Sequence, residues 1–260
     1  MFTREGAGRS DKVNRRLAGY LAFIGGYVNS AGFVLIGTFT SHVTGNVGRF
    51  AHELSARQFV GALTALSWIA AFFGGALAAS MIVESDFLGD QARAYGVAVV
   101  LELALLVTFA GIFDLSPPGR SPLRAEALLL SGAMGMQNSL VTRLSGAVVR
   151  TTHLTRVVTD LGIEAARWFR WWRGRASRAI GIRLAFGDNP ANAPSTSKIA
   201  LLVTIAGAFT SGALLGSLLA LAARTVVMVL PVVALAAGAT YAFTSDRAKS
   251  ATSIPPNSRA

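Results

Sequence analysis

The sequence predicts an all-α, polytopic membrane protein with six transmembrane helices arranged as two inverted-topology repeats of three helices each. Three observations predict it. Of 260 residues, 52% are hydrophobic and only 14% charged, against about 25% charged in a soluble domain. The Asp, Glu, Lys and Arg residues leave gaps of bilayer-crossing length. Polar motifs of the first half recur in the same order in the second. The composition also excludes disordered and collagen-like chains. With no cysteine, disulfide frameworks and thiol chemistry are excluded.

A crossing helix needs about 20 mostly apolar residues. The gaps run over 17–48, 58–83, 94–113 (interrupted only by Glu102), 127–142, 199–223 and 225–245. The fourth is short and needs Ala125 and Glu126 at the interface. The first is too long for one span. It reads as a helix to about Gly37, a break at Thr38–Ser41, and a short second helix. The basic front from Arg4 to Arg16 resembles a signal peptide's. The apolar stretch behind it, however, carries Gly25, Gly26, Asn29 and Ser30 and no clean cleavage site.

The net charge of +11 would suit nucleic acid if it were clustered on a soluble face; here it flanks the spans, and no nucleic-acid partner is expected. With the N-terminus inside, 19 of the 24 Lys and Arg fall on the cytoplasmic side and 5 outside, as the positive-inside rule requires. This divides the chain into a cytoplasmic basic arm (1–16), a first three-span repeat (17–113), an outer loop (114–124), a second repeat (125–245) and a cytoplasmic tail (246–260). Within the second repeat, 165–197 is expected as a cytoplasmic Arg/Trp interfacial segment. Trp168, Phe169, Trp171 and Trp172 stand there among Arg167, Arg170, Arg173 and Arg175. Rings at the headgroup level with guanidinium groups on lipid phosphate are the expected arrangement.

The internal match is specific. Gly26-Tyr27-Val28-Asn29-Ser30 aligns with Gly135-Met136-Gln137-Asn138-Ser139, and Thr40-Ser41-His42-Val43-Thr44 with Thr151-Thr152-His153-Leu154-Thr155. Glu53 and Glu164 each follow their histidine by eleven residues. Phe72 to Leu77 resembles Phe209 to Leu214, and Val100 to Leu103 faces Val229 to Val232. Three spans per repeat is an odd number, so the second copy must enter the membrane from the opposite side.

These paired motifs resemble those of the YoaK-type family of bacterial six-span membrane proteins, a domain of unknown function, over roughly residues 15 to 245. The resemblance implies a bacterial inner-membrane location and supplies no substrate. Arg156 stands where the family motif tends to have the glycine present here as Gly45.

Short helices beginning after spans one and four would aim free N–H groups at what precedes them. Ser41 and Thr152 are N-cap candidates. The expected substrate-binding residues are Asn29, His42, Thr44, Asn46, Asn138, His153 and Thr155; interfacial caps in water are the alternative. Glu102, inside the third span, is the candidate proton-coupling group, or else half of a fixed ion pair. Gly37 and Pro231 are candidate hinges. Gly212 and Gly216 form a Gly-x-x-x-Gly, for packing within the chain or in a homodimer. No metal, cofactor or enzymatic activity is expected, for want of a ligand cluster or nucleotide fingerprint. The expected role is a secondary transporter or facilitator of a small polar or anionic solute. A channel, or a lipid-interacting scaffold, is the alternative.

Overall fold

The computed structural model describes residues 11–85, 88, 91–115, 125–144, 154–180, 195–224, 226–238 and 240. Among them the chain is entirely helical: α1 (Asp11–Ile36), α2 (Val43–Ser55), α3 (Phe59–Val83), α4 (Gln91–Leu115), α5 (Ala125–Leu144), α6 (Leu154–Ile180), α7 (Thr196–Ala222) and α8 (Val229–Gly238).

Four stretches are long and apolar enough to cross a membrane: Arg15–Ile36, Phe59–Val83, Arg93–Phe113 and Thr196–Ala222. Their outer faces carry large apolar side chains such as Phe73 and Met81 on α3, Val107 on α4 and Leu218 on α7. Water would penalise that surface, and lipid does not. The protein is therefore a helical membrane protein. The stretches expected as spans four and six differ from the other four. Polar residues lower the hydropathy of α5, and they are buried: Ser131, Gln137 and Asn138 all face protein. A helix enclosed by its neighbours need not be apolar. Over the described residues α8 has ten, too few for 30 Å of hydrocarbon.

Side-chain register fixes how the helices run. On α3 and α5, Ser80 pairs with Ser139 at 2.8 Å and Glu84 pairs with Arg143 one turn on, so the two are parallel. Glycines let the pair approach closely. A Cβ on Gly135 would strike the carbonyl of Phe72, and one on Gly75 the carbonyl of Gly132. Helices α1 and α7 pack the same way: Gly26 lies against the Phe209 carbonyl, Gly212 against that of Phe23, and Gly216 against that of Tyr27. Helix α8 returns antiparallel to α1. The Tyr20 hydroxyl donates to the Ala234 carbonyl, and the Tyr27 hydroxyl donates to Val227 at 2.6 Å.

Helix α1 stops at Gly37, whose φ of 76° is left-handed and whose N–H donates to Phe33 O at 2.8 Å. The chain then folds back beside α1 before α2 begins. A tight turn whose Arg57 takes φ 58° leads into α3. Arg49 stacks over Trp68, 5.0 Å from the ring centroid, and fastens α2 to α3.

The second half differs in one respect. A short helix followed by a separate Arg/Trp segment was expected, and α6 is instead one helix of 27 residues. The reason is local: 154–180 holds no proline, and its Ala, Leu and Arg are good helix formers.

Candidate functional site

The break between α1 and α2 is built on Asn29. Its side-chain oxygen accepts from the Ser41 backbone N–H at 3.2 Å and from the Ser41 hydroxyl at 2.9 Å. Asn29 lies seven residues before the end of α1, so the chain has come back about 10 Å along the helix axis before starting α2. Ser41 was expected to cap α2. The N-cap is instead His42, without a side-chain hydrogen bond, because the Ser41 hydroxyl is turned to Asn29. The sequence marks Asn29 as a site residue, and the structure gives its oxygen a holding role. Asn138, its counterpart, is also buried; its amide donates to Met134 O at 2.9 Å.

The remaining expected residues divide. Asn46 is buried, whereas His42, Thr44 and Thr155 are exposed. The His42 ring meets Phe39 edge-on at 6.4 Å, and Phe39 stacks on Phe33 at 4.2 Å. His153 lies outside the described residues, as does Thr152. Gly37 is the turn that lets the chain leave α1. Pro231 was expected to kink a span, but it stands in the first turn of α8, where a missing N–H is tolerated.

Several interior polar groups were not singled out by the sequence. Among the described residues, neither polar side-chain atom of the buried Gln137 has a hydrogen-bond partner, nor do the buried hydroxyls of Ser131 and Thr40. Thr40 Oγ1 looks at Gly32 of α1, beside Leu130 of α5. Gln137 is seven residues after Leu130 and therefore shares its face of α5. Each such group costs about 1–3 kcal/mol when it is left unpaired. Their signal was the motif itself: Gln137 stands where the first copy has Val28, a polar-for-apolar exchange inside a repeat.

Glu102 is 3% exposed, within a spanning helix. It has no hydrogen bond or ion pair among the described residues, and its electrostatic neighbour is Tyr20. Glu126 on α5 and Glu164 on α6 are buried as well, and Glu164 is differently placed. Glu164 on α6 accepts from Lys198 Nζ and from Arg167 Nη1, each at 2.8 Å. The Lys198 hydrogen bond chiefly holds its carboxyl below the ordinary value, with Arg167 adding to it and burial opposing.

Residues 17–241 match the family described as "Protein of unknown function (DUF1275)". The chain belongs to the DUF1275 family. The match begins within the first spanning stretch and ends past α8, so it takes in α2 to α8 and most of α1. Neither a curated protein nor a solved structure matches this DUF1275 chain.

Proposed function

We propose that this chain carries a small polar or anionic solute across the bacterial inner membrane by alternating access between two inverted three-helix repeats. Its N- and C-termini are then cytoplasmic.

One observation carries the reading: the glycine contacts exchange when the halves are exchanged. Gly26 and Gly135 occupy matched positions, as do Phe209 and Phe72; the contact Gly26–Phe209 on α1 and α7 is thereby paired with Gly135–Phe72 on α5 and α3. Gly212–Phe23 and Gly75–Gly132 are paired in the same way. A two-fold axis relating the halves would produce that exchange. Glu53 over Gly61 and Glu164 on Lys198 follow the same correspondence. The register supports the alternation. Helices α1 and α7 run together, as do α3 and α5, and α8 runs against α1. This pattern fits six crossings in which α2 and α6 do not cross and the sixth is the whole apolar stretch 225–245 that contains α8. An odd number of crossings per half places the axis in the membrane plane, the arrangement that alternating access uses.

The solute class follows from the unpaired interior groups. Gln137, Ser131 and Thr40 offer amide and hydroxyl contacts, with Asn46 buried at the α2 start. The carboxyl of Glu102, without an ion pair among the described residues, is the proton-coupling group. An unpaired charge in lipid surroundings costs roughly 2.5–3.5 kcal/mol, and a proton that comes and goes as access alternates would relieve it.

The test begins with a thermal-shift screen of the purified full-length chain against small anions, amino acids and sugars. Compounds that stabilise it are then tried for counterflow in proteoliposomes. The expected result is trans-stimulated uptake that is lost in Gln137→Leu. A folded, inserted protein that gives no counterflow for any stabilising compound would overturn the proposal, and flux without trans-stimulation would make it a channel.

A further inference from the structure

Helix α6 packs on α7 with one stripe. Leu154, Val157, Leu161 and Glu164 recur at three- and four-residue spacing, and the stripe is buried or half-buried as far as Glu164. Glu164 is joined to Lys198, in the first turn of α7. Beyond it there is no more α7 to pack against, yet the same stripe continues as Trp168, Trp171 and Trp172. Trp168 is 53% and Trp172 54% exposed, and Phe169 beside them 54%. At 100° per residue, Arg170 and Arg173 fall on the opposite side of the helix from this aromatic arc, and Arg167 at its edge beside Trp171. The two acidic residues of α6 lie before the arc and are already matched, Asp160 by Arg156 and Glu164 by Lys198 and Arg167.

We infer that the Arg/Trp end of α6 is a docking surface for anionic phospholipid of the membrane in which the protein sits. Its place decides the occupant. A spanning helix, α7, starts at Thr196, so the stripe loses its protein cover where a bilayer changes from hydrocarbon to headgroups. Arg167 to Arg173 covers about 9 Å along the helix axis, close to the roughly 5–8 Å depth of one headgroup layer. Indole rings are at home at that level and guanidinium groups meet phosphate there. Arg175 lies 5.0 Å from the Trp171 ring, so the two chemistries adjoin. The inference needs only membrane insertion and does not depend on solute transport.

The protein supplies its own probe, since three of its four tryptophans lie in this arc. In a Trp68→Phe background, the full-length chain is reconstituted into phosphatidylcholine vesicles containing a minority of phosphatidylglycerol. Bromine is placed on the acyl chains of one lipid or the other. The expected result is stronger tryptophan quenching by brominated phosphatidylglycerol than by brominated phosphatidylcholine at equal mole fraction. The ceiling on that preference is about fivefold per arginine. It should fall to parity in Arg170→Gln/Arg173→Gln. Equal quenching by both lipids without those substitutions would overturn the anionic preference. Quenching by aqueous iodide and not by either lipid would place the arc in water and overturn the docking. Shielding from all three quenchers would mean that the chain itself or a second copy covers the arc, which also overturns it.

Discussion

If the two helix pairs are images of one another, the same substitution should do the same damage in each. Gly26→Ala and Gly135→Ala put a methyl group against the carbonyls of Phe209 and Phe72. A carbon and a carbonyl oxygen come no closer than about 3.3 Å, so each helix pair must part by about 1 Å. Both carbonyls are backbone, which cannot turn aside as a side chain would. Overpacking of this kind costs about 1–3 kcal/mol. At roughly 2–4 °C per kcal/mol for a chain of this size, Tm should drop by several degrees, and similarly for both variants. Gly74→Ala and Gly207→Ala are the controls. They lie in the partner helices of the two crossings, α3 and α7, with nothing within 4 Å of the added carbon. Replacing glycine in an open helical position gains up to about 1 kcal/mol, so these should leave Tm unchanged or raise it. Thermal unfolding in detergent, read by circular dichroism, separates the sets. If Gly26→Ala is as harmless as Gly74→Ala, the close crossing does not exist. If only one of Gly26→Ala and Gly135→Ala is harmful, the equivalence of the pairs is wrong.

Three further outcomes are expected. Gly37→Ala should lower stability by about 1 kcal/mol, because φ 76° is strained for any residue with a Cβ, although the space around it is open; the same melting measurement checks it. Arg57→Gly should raise Tm slightly, since it relieves φ 58° in the α2–α3 turn. Glu164, held below its ordinary 4.5 by Lys198, contributes stability that is complete above that value and is lost as pH falls through its folded value. Melting temperature should therefore drop on acidification below about pH 5, and Glu164→Gln should remove that part of the drop.

Most of the helical layout was legible from hydropathy and charge. A spanning helix announces itself by what it lacks, as 58–83 and 199–223 do. Helix α5 was harder to read because it is solvated by other helices, which permits Ser131, Gln137 and Asn138 where lipid would not. The break at Thr38–Ser41 was visible from an apolar run too long for one helix. Its anchor was not, because nothing in the spacing of Asn29 and Ser41 says that the chain folds back onto itself. The site suffered from the same limit. Periodicity marks His42 and Asn46 as one face, yet packing alone decides that Asn46 is buried and His42 exposed. The continuity of α6 was missed because an Arg/Trp-rich stretch reads as a change of environment, and a helix can pass from one environment to another without a break.

The account depends most on the two halves entering the membrane from opposite sides. The chain has no cysteine, so single cysteines can be introduced without background. Gln58→Cys sits at the start of α3, and Ser195→Cys at the matched start of α7. Labelled in intact cells with a membrane-impermeant maleimide, Gln58→Cys should react from outside, and Ser195→Cys only after the membrane is opened. Reaction of both from the same side would contradict the inverted repeat and the solute-carrying mechanism built on it.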